Sequence, residues 1–102
     1  METINKDYLP DFSGKCVSIS LRDDDVSHDL CDPRFEYQGN RLFIIGYVPK
    51  GATESDWAAT KTSAIAWDRV LQYFVFDNLK DYQKAIKKSE DFQKAKKRKK
   101  KE

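Results

Sequence analysis

The fold of this chain is decided by the stretch Phe35-Glu36-Tyr37-Gln38-Gly39-Asn40-Arg41-Leu42-Phe43-Ile44-Ile45-Gly46-Tyr47-Val48. Before Gly39-Asn40, aromatic and polar residues alternate, which is typical of a strand with one face in water. After it, residues 42–48 are apolar on both faces, which predicts an interior strand covered on both sides. Gly-Asn between two such runs favours a two-residue turn, so the stretch predicts a β-hairpin. Gly46 inside the second strand predicts a bulge or a close backbone approach.

Residues 17–34 predict one strand followed by a polar connection. Apolar and polar residues alternate over 17–22, as in a half-buried strand. The three adjacent carboxylates of 23–25 favour water and end that strand. From there to Asp32-Pro33 the residues are mostly polar, and we expect a connection rather than a strand.

Residues 62–76 predict the rest of the sheet. Thr62–Val70 forms a fourth strand that places Ile65 and Trp67 on one face, and Leu71–Phe76 forms a fifth. The polar pair Asp68-Arg69 interrupts the two runs. They are therefore either one bent strand or two strands joined by a tight corner.

From Leu79 the apolar residues follow a helical period that continues to Phe92. Asn78 is the expected N-cap of this helix. We therefore expect a single α+β domain over residues 1–92, with an irregular lead-in at 1–13 and a disordered basic tail at 93–102. Five short, mostly antiparallel strands and one C-terminal helix fit a small sheet or a barrel that is partly open and resembles SH3-like barrels in outline.

Charge is divided unevenly along the chain, although its formal net value is +2. Eight Lys/Arg against thirteen Asp/Glu give residues 1–78 a net −5, and eleven against four give residues 79–102 a net +7. Nucleic-acid affinity rests largely on phosphate neutralisation. Any polyanion contact is therefore expected on the C-terminal arm, whose candidate residues are Lys94, Lys96, Lys97, Arg98, Lys99, Lys100 and Lys101.

The hydropathy pattern favours a cytoplasmic protein, although two cysteines would allow one disulfide. The longest apolar run, Leu42–Val48, is too short to cross a bilayer, and the first twelve residues lack the apolar run of a secretory signal. In a reducing compartment Cys16 and Cys31 are expected as free thiols.

The densest polar cluster contains Asp23, Asp24, Asp25, His28, Asp29, Cys31 and Asp32. These are metal-ligating residue types, but an EF-hand needs Gly where His28 stands and Glu where Arg34 stands. One His and one Cys are too few for a zinc site. A lone histidine and four scattered glycines provide neither a secured nucleophile–base pair nor a phosphate-binding loop. We expect no metal, no cofactor and no enzymatic activity.

Trp57 is a candidate protein-binding residue, because tryptophans in exposed loops often anchor contacts. The sequence favours the alternative that Trp57 folds back as a lid over the end of the sheet. As a function, we expect a small interaction module that binds protein and self-associates, most simply as a homodimer, since an open sheet has unpaired edges. The alternative is a nucleic-acid-associated protein anchored through its basic C-terminal arm.

Overall fold

The computed structural model describes residues 9–53 and 56–100, the last five of these by their backbone alone. Its strands are β1 (Cys16–Leu21), β2 (Ser27–Gln38), β3 (Arg41–Tyr47), β4 (Thr62–Ala66) and β5 (Val70–Phe76). A short 3-10 turn, Trp67–Arg69, joins the last two strands, and the helix α1 spans Leu79–Lys100. The α+β class, the five antiparallel strands and the C-terminal helix are confirmed.

The five strands form one open sheet in the order β4-β3-β2-β1-β5. Every neighbouring pair is antiparallel. The predicted hairpin joins β2 to β3 through Gly39-Asn40, with Gly39 at a positive φ of 67°. Among the described strands, β4 and β5 have no outer neighbour, so the sheet does not close into a barrel. β4 and β5 are the two edges, but only Trp67–Arg69 joins them, so the sheet curls and the end of β4 lies close to the start of β5.

β2 begins eight residues earlier than the sequence pattern indicated, because Ser27–Arg34 forms a strand rather than a polar connection. Its first half pairs with β1, from Cys16 opposite Cys31 to Ser20 opposite Ser27. One extra residue between Cys31 and Arg34 forms a bulge opposite β3, where Asp32 has a φ of 48°. A Cβ at Gly46 would lie 2.8 Å from the Cys31 carbonyl oxygen, so the predicted close approach at this glycine is confirmed.

Each face of the sheet carries its own core. One face buries the apolar cluster Phe12, Val17, Ile19, Leu30, Ile44 and Ile65. Since side chains alternate along a strand, Cys16 and Cys31 lie on the opposite face, where Tyr82 of α1 packs against them. The predicted N-cap is also confirmed, because the Asp81 N–H donates to Asn78 Oδ1 at 2.9 Å.

α1 continues to Lys100, which differs from the disordered tail predicted from residue 93 onward. Its last turns are rich in Lys, Ala and Arg, which have high helix propensity, and no Gly or Pro ends them. Residues 101–102 lie outside the described part of the chain, as do residues 1–8 of the predicted lead-in. Within the described part, no helix is both long enough and apolar enough to span a bilayer.

Candidate functional site

β5 carries the main apolar surface. Among the described residues, eight large apolar side chains are exposed, and four of them lie on β5: Leu71, Tyr73, Phe74 and Val75. Leu71 is 67% exposed and Phe74 is 58% exposed. β5 contains no charged residue. Edge strands of soluble proteins usually carry charges or bulges that block further pairing. β5 has no charge, and its pairing with β1 is irregular only at its start, where Leu71 is an extra residue between Val70 and Gln72.

The backbone of β5 also offers free hydrogen-bonding groups. The Asp32 N–H donates to the Lys15 carbonyl at 2.8 Å, which sets the alternation along β1: odd-numbered residues bond to β2 and even-numbered residues bond to β5. Phe74 stands opposite Ser18 and therefore bonds to β1. The N–H and C=O groups of Tyr73 and Val75 point away from the sheet.

The other edge, β4, differs in each of these respects. It has five residues against seven in β5, and its exposed side chains are small, as at Thr62 and Ala64. A short edge strand with small side chains offers little apolar area to a partner. The two edges of the sheet are therefore not equivalent as interaction surfaces.

Trp57 lies on a second surface. Its side chain is 77% exposed, so the interpretation that it covers the end of the sheet is wrong. Instead it lines a cavity of about 520 Å³ between the start of β2 and the segment that links β3 to β4. Residues 26–29 form one wall, and Val48, Ala58 and residues 61–63 contribute to the others.

The acidic cluster does not converge on a common point. Asp24 Oδ2 lies 2.9 Å from His28 Nε2, and Asp24 Oδ1 accepts the Val26 N–H. The hydrogen bond with His28 lowers the pKa of the Asp24 carboxyl. Asp32 Oδ1 accepts the Gly14 N–H at 2.9 Å. Within the described residues, no three His, Cys, Asp or Glu side chains are grouped as metal ligands would be.

Cys16 and Cys31 form a disulfide, so the prediction of free thiols is wrong. The two residues stand opposite each other in the β1–β2 register, with their Cα atoms 4.1 Å apart. The physical reason is the early start of β2, because a strand at 27–34 brings Cys31 beside Cys16. Both side chains are buried beneath Tyr82.

Tyr82 joins the helix to the sheet through a polar contact. Among the described side chains of α1, that of Tyr82 is the one classed as buried. Its hydroxyl donates a hydrogen bond to Asp29 Oδ2 at 2.5 Å. Burial, followed by the Asp29 hydrogen bond, raises the pKa of Tyr82. Asp29 Oδ1 is buried and has no hydrogen-bond partner among the described residues. The helical period of the apolar residues from Leu79 to Phe92 includes Tyr82 and so predicts that it packs against the sheet, but nothing in the sequence indicates the partner of its hydroxyl.

The basic candidates lie on the distal part of α1. Lys94 is exposed. The backbone of Lys96, Lys97, Arg98, Lys99 and Lys100 continues the same helix, whereas Lys101 lies outside the described residues. The distal half of α1 is thus a cationic helix that extends from a body of opposite net charge.

Sequence reasoning identified Trp57 and the basic arm but missed β5 as a surface. The available signal was the run Val70–Phe76, which is apolar apart from Gln72 and carries no charge. Its place at an edge depends on the strand order, which the run itself does not encode. Comparison with known proteins finds no protein-family model, curated protein or solved structure that matches this chain.

Proposed function

We propose that this chain is a non-enzymatic interaction module that self-associates by pairing β5 with β5 of a second copy. The observation that carries the proposal is an uncharged edge strand with four exposed apolar side chains. Antiparallel pairing about a two-fold axis would use the outward backbone groups of Tyr73 and Val75 in both copies. The product is one continuous sheet shared by a homodimer.

The exposed area on β5 supports this assignment. A buried aromatic side chain covers about 150–250 Å² and an aliphatic one less, so the exposed fractions on β5 correspond to at most roughly 300–500 Å² of apolar surface. That is about the size of the largest apolar patch on a typical monomer, and about half of the ~800 Å² that each partner buries in a stable complex. Paired backbones and neighbouring side chains supply the remainder.

The alternative function, anchoring to nucleic acid through Lys94 and the basic residues after it, makes the opposite prediction about salt. Binding through phosphate neutralisation weakens steeply as the salt concentration rises. β5 is uncharged, so self-association through it is expected to be nearly indifferent to salt. The net −5 of residues 1–78 disfavours phosphate contact by the body of the domain.

Sedimentation velocity over a range of protein and salt concentrations tests the proposal. We expect a concentration-dependent shift from the 11.9 kDa monomer to twice that mass, unchanged by salt. Leu71→Lys places a charge on the exposed edge and is expected to weaken association by at least about tenfold. Phe92→Lys is the matched control, because Phe92 is 64% exposed on α1 and away from β5. A monomer at every concentration, or equal loss in the two variants, contradicts the proposal.

The compartment in which the module works is a separate matter. A cytoplasmic location rests on the hydropathy pattern of the sequence, and it remains part of the proposal on that basis. Buried disulfides such as Cys16–Cys31 are more typical of oxidising compartments. Pairing through β5 requires neither location, because the strand contains no cysteine.

A further inference from the structure

A second free edge lies inside the sheet, on β2. β2 begins at Ser27, but its pairing with β3 begins only at Cys31. Residues 27–30 therefore pair with β1 on one side, and residues 27–29 border the Trp57 cavity on the other. The volume of about 520 Å³ falls within the ~300–1,000 Å³ typical of ligand pockets. β3 ends at Tyr47, opposite Cys31, so it does not extend along residues 27–30 of β2.

The backbone of this edge is oriented for pairing. His28 and Leu30 stand opposite Ile19 and Val17 and hydrogen-bond to β1. The N–H and C=O groups of Ser27 and Asp29 therefore point toward the cavity. No described strand pairs with them there. Free groups on residues i and i+2 are the pattern that an added peptide strand uses.

The cavity also selects for side chains. Val48, Ala58 and the exposed Trp57 indole provide apolar surface for one anchoring side chain. His28 lines the wall formed by β2, and its Nε2 lies 2.9 Å from Asp24 Oδ2, so the Asp24 carboxylate stands next to a lining residue, just beyond the lining itself. Lys61 lies on the opposite wall. A peptide that fits these charges carries a basic residue on the Asp24 side of its apolar anchor.

We propose that this cavity binds an extended segment of a partner protein, which adds as a strand to the free edge of β2. An apolar side chain of the segment packs against Trp57, and a basic side chain faces Asp24. This site goes beyond self-association, because β1 separates β2 from β5 in the sheet. One chain then presents two independent edges, one for a second copy and one for a partner peptide.

The test begins with a displayed library of random linear peptides selected on the immobilised full-length chain. We expect enriched sequences with an apolar residue flanked on one side by Lys or Arg.

A synthetic copy of an enriched peptide is then N-methylated at one backbone amide at a time, and its binding is measured by fluorescence polarisation. Methylation at alternate positions is expected to weaken binding by about tenfold or more, and methylation between them to have little effect, because only alternate amides pair with β2. Failure to enrich any sequence, or uniform sensitivity to N-methylation, overturns the proposal.

Protein variants locate the peptide on this edge. Trp57→Ala is expected to weaken binding by about tenfold or more, since it removes the apolar contact. Ser27→Pro removes one donor that faces the cavity and leaves the β1 ladder intact, because proline is tolerated at the first residue of a strand; we expect about a tenfold loss. Leu71→Lys is the control that separates this proposal from self-association, and it is expected to leave peptide affinity unchanged. If Ser27→Pro does not fold, Trp57→Ala and the N-methyl series decide. Full affinity in Trp57→Ala overturns the assignment.

Discussion

β1 and β5 are neighbours in one sheet and contrast in burial. β1, Cys-Val-Ser-Ile-Ser-Leu, includes two serines, and its Val17 and Ile19 are fully buried. β5, Val-Leu-Gln-Tyr-Phe-Val-Phe, is the more apolar strand, yet its five central residues are exposed. Position in the sheet therefore decides burial here more than hydrophobicity does.

The difference comes from what covers each strand. β1 lies between β2 and β5, with Phe12 packed in the core on one face and Tyr82 covering the Cys16 end on the other. β5 is an edge strand. Phe76, at its end, packs near Tyr82, and the centroids of the two rings are 5.5 Å apart. The proposed self-association rests on this contrast, in which an apolar strand is left exposed while its more polar neighbour is covered.

The contrast is tested most strongly by truncating one residue on each strand. Ile19→Ala is expected to cost about 2–5 kcal/mol of the free energy of unfolding, because it opens a cavity in the core. Leu71→Ala is expected to cost no more than about 0.5 kcal/mol in the monomer, because its side chain is 67% exposed. Urea denaturation at a concentration where the protein is monomeric measures both. Equal losses at the two positions show that β5 is covered in the monomer, contrary to the exposure described above.

Reduction of the disulfide is expected to have the next largest effect on the free energy of unfolding. Of the two strands compared, only β1 contains one of its cysteines. Cys16 and Cys31 are separated by 15 residues in sequence, and closing such a loop stabilises the folded state by about 3 kcal/mol in the chain-entropy description. We expect a dithiol reductant to lower the free energy of unfolding by about that amount. Cys16→Ala/Cys31→Ala, which reductant does not affect, is the control. A thiol titration of two in denatured, unreduced protein contradicts the disulfide itself.

Substitution of Tyr82 is expected to have the smallest of the three effects on stability. It tests the packing of α1 over the end of the sheet where Cys16 of β1 pairs with Phe76 of β5. Tyr82→Phe leaves Asp29 without its donor and is expected to cost about 1–3 kcal/mol at neutral pH. Because the folded-state pKa of Tyr82 is raised above the ordinary 10.0, its contribution is complete below pH 10 and is lost as the pH rises above it. Above pH 10 the free energy of unfolding is expected to fall by at most about 1.4 kcal/mol per pH unit through this group.

Urea unfolding of wild type and Tyr82→Phe between pH 8 and pH 11 checks this pH dependence. The gap between the two proteins is expected to narrow above pH 10, while the titration of lysines affects both alike. A gap that stays constant to pH 11 shows that the Tyr82 hydroxyl is not held in its neutral form by the fold.

Local patterns predicted much of this fold. The Gly39-Asn40 turn, the strand at 41–47 and the Asn78 cap all follow from interactions within a few residues. The early start of β2 was missed because Ser27–Arg34 has no apolar alternation, and its backbone is held by pairing with β1. The disulfide was missed for the same reason, since Cys31 reaches Cys16 only when that strand forms. The helical backbone beyond Phe92 was also missed, because the charge run outweighed helix propensity in the prediction.

The sequence by itself determined the Gly39-Asn40 turn and the strand residues next to it, where the helix starts and how charge divides between body and arm. These properties depend on turn chemistry, capping and composition, which act over short distances along the chain. Only the tertiary structure decided that β5 is an edge, that Trp57 is exposed beside a cavity and that β2 keeps a free stretch of backbone. Those properties depend on which strands pair, and pairing joins residues as distant as Ser18 and Phe74, whose contact no local pattern encodes.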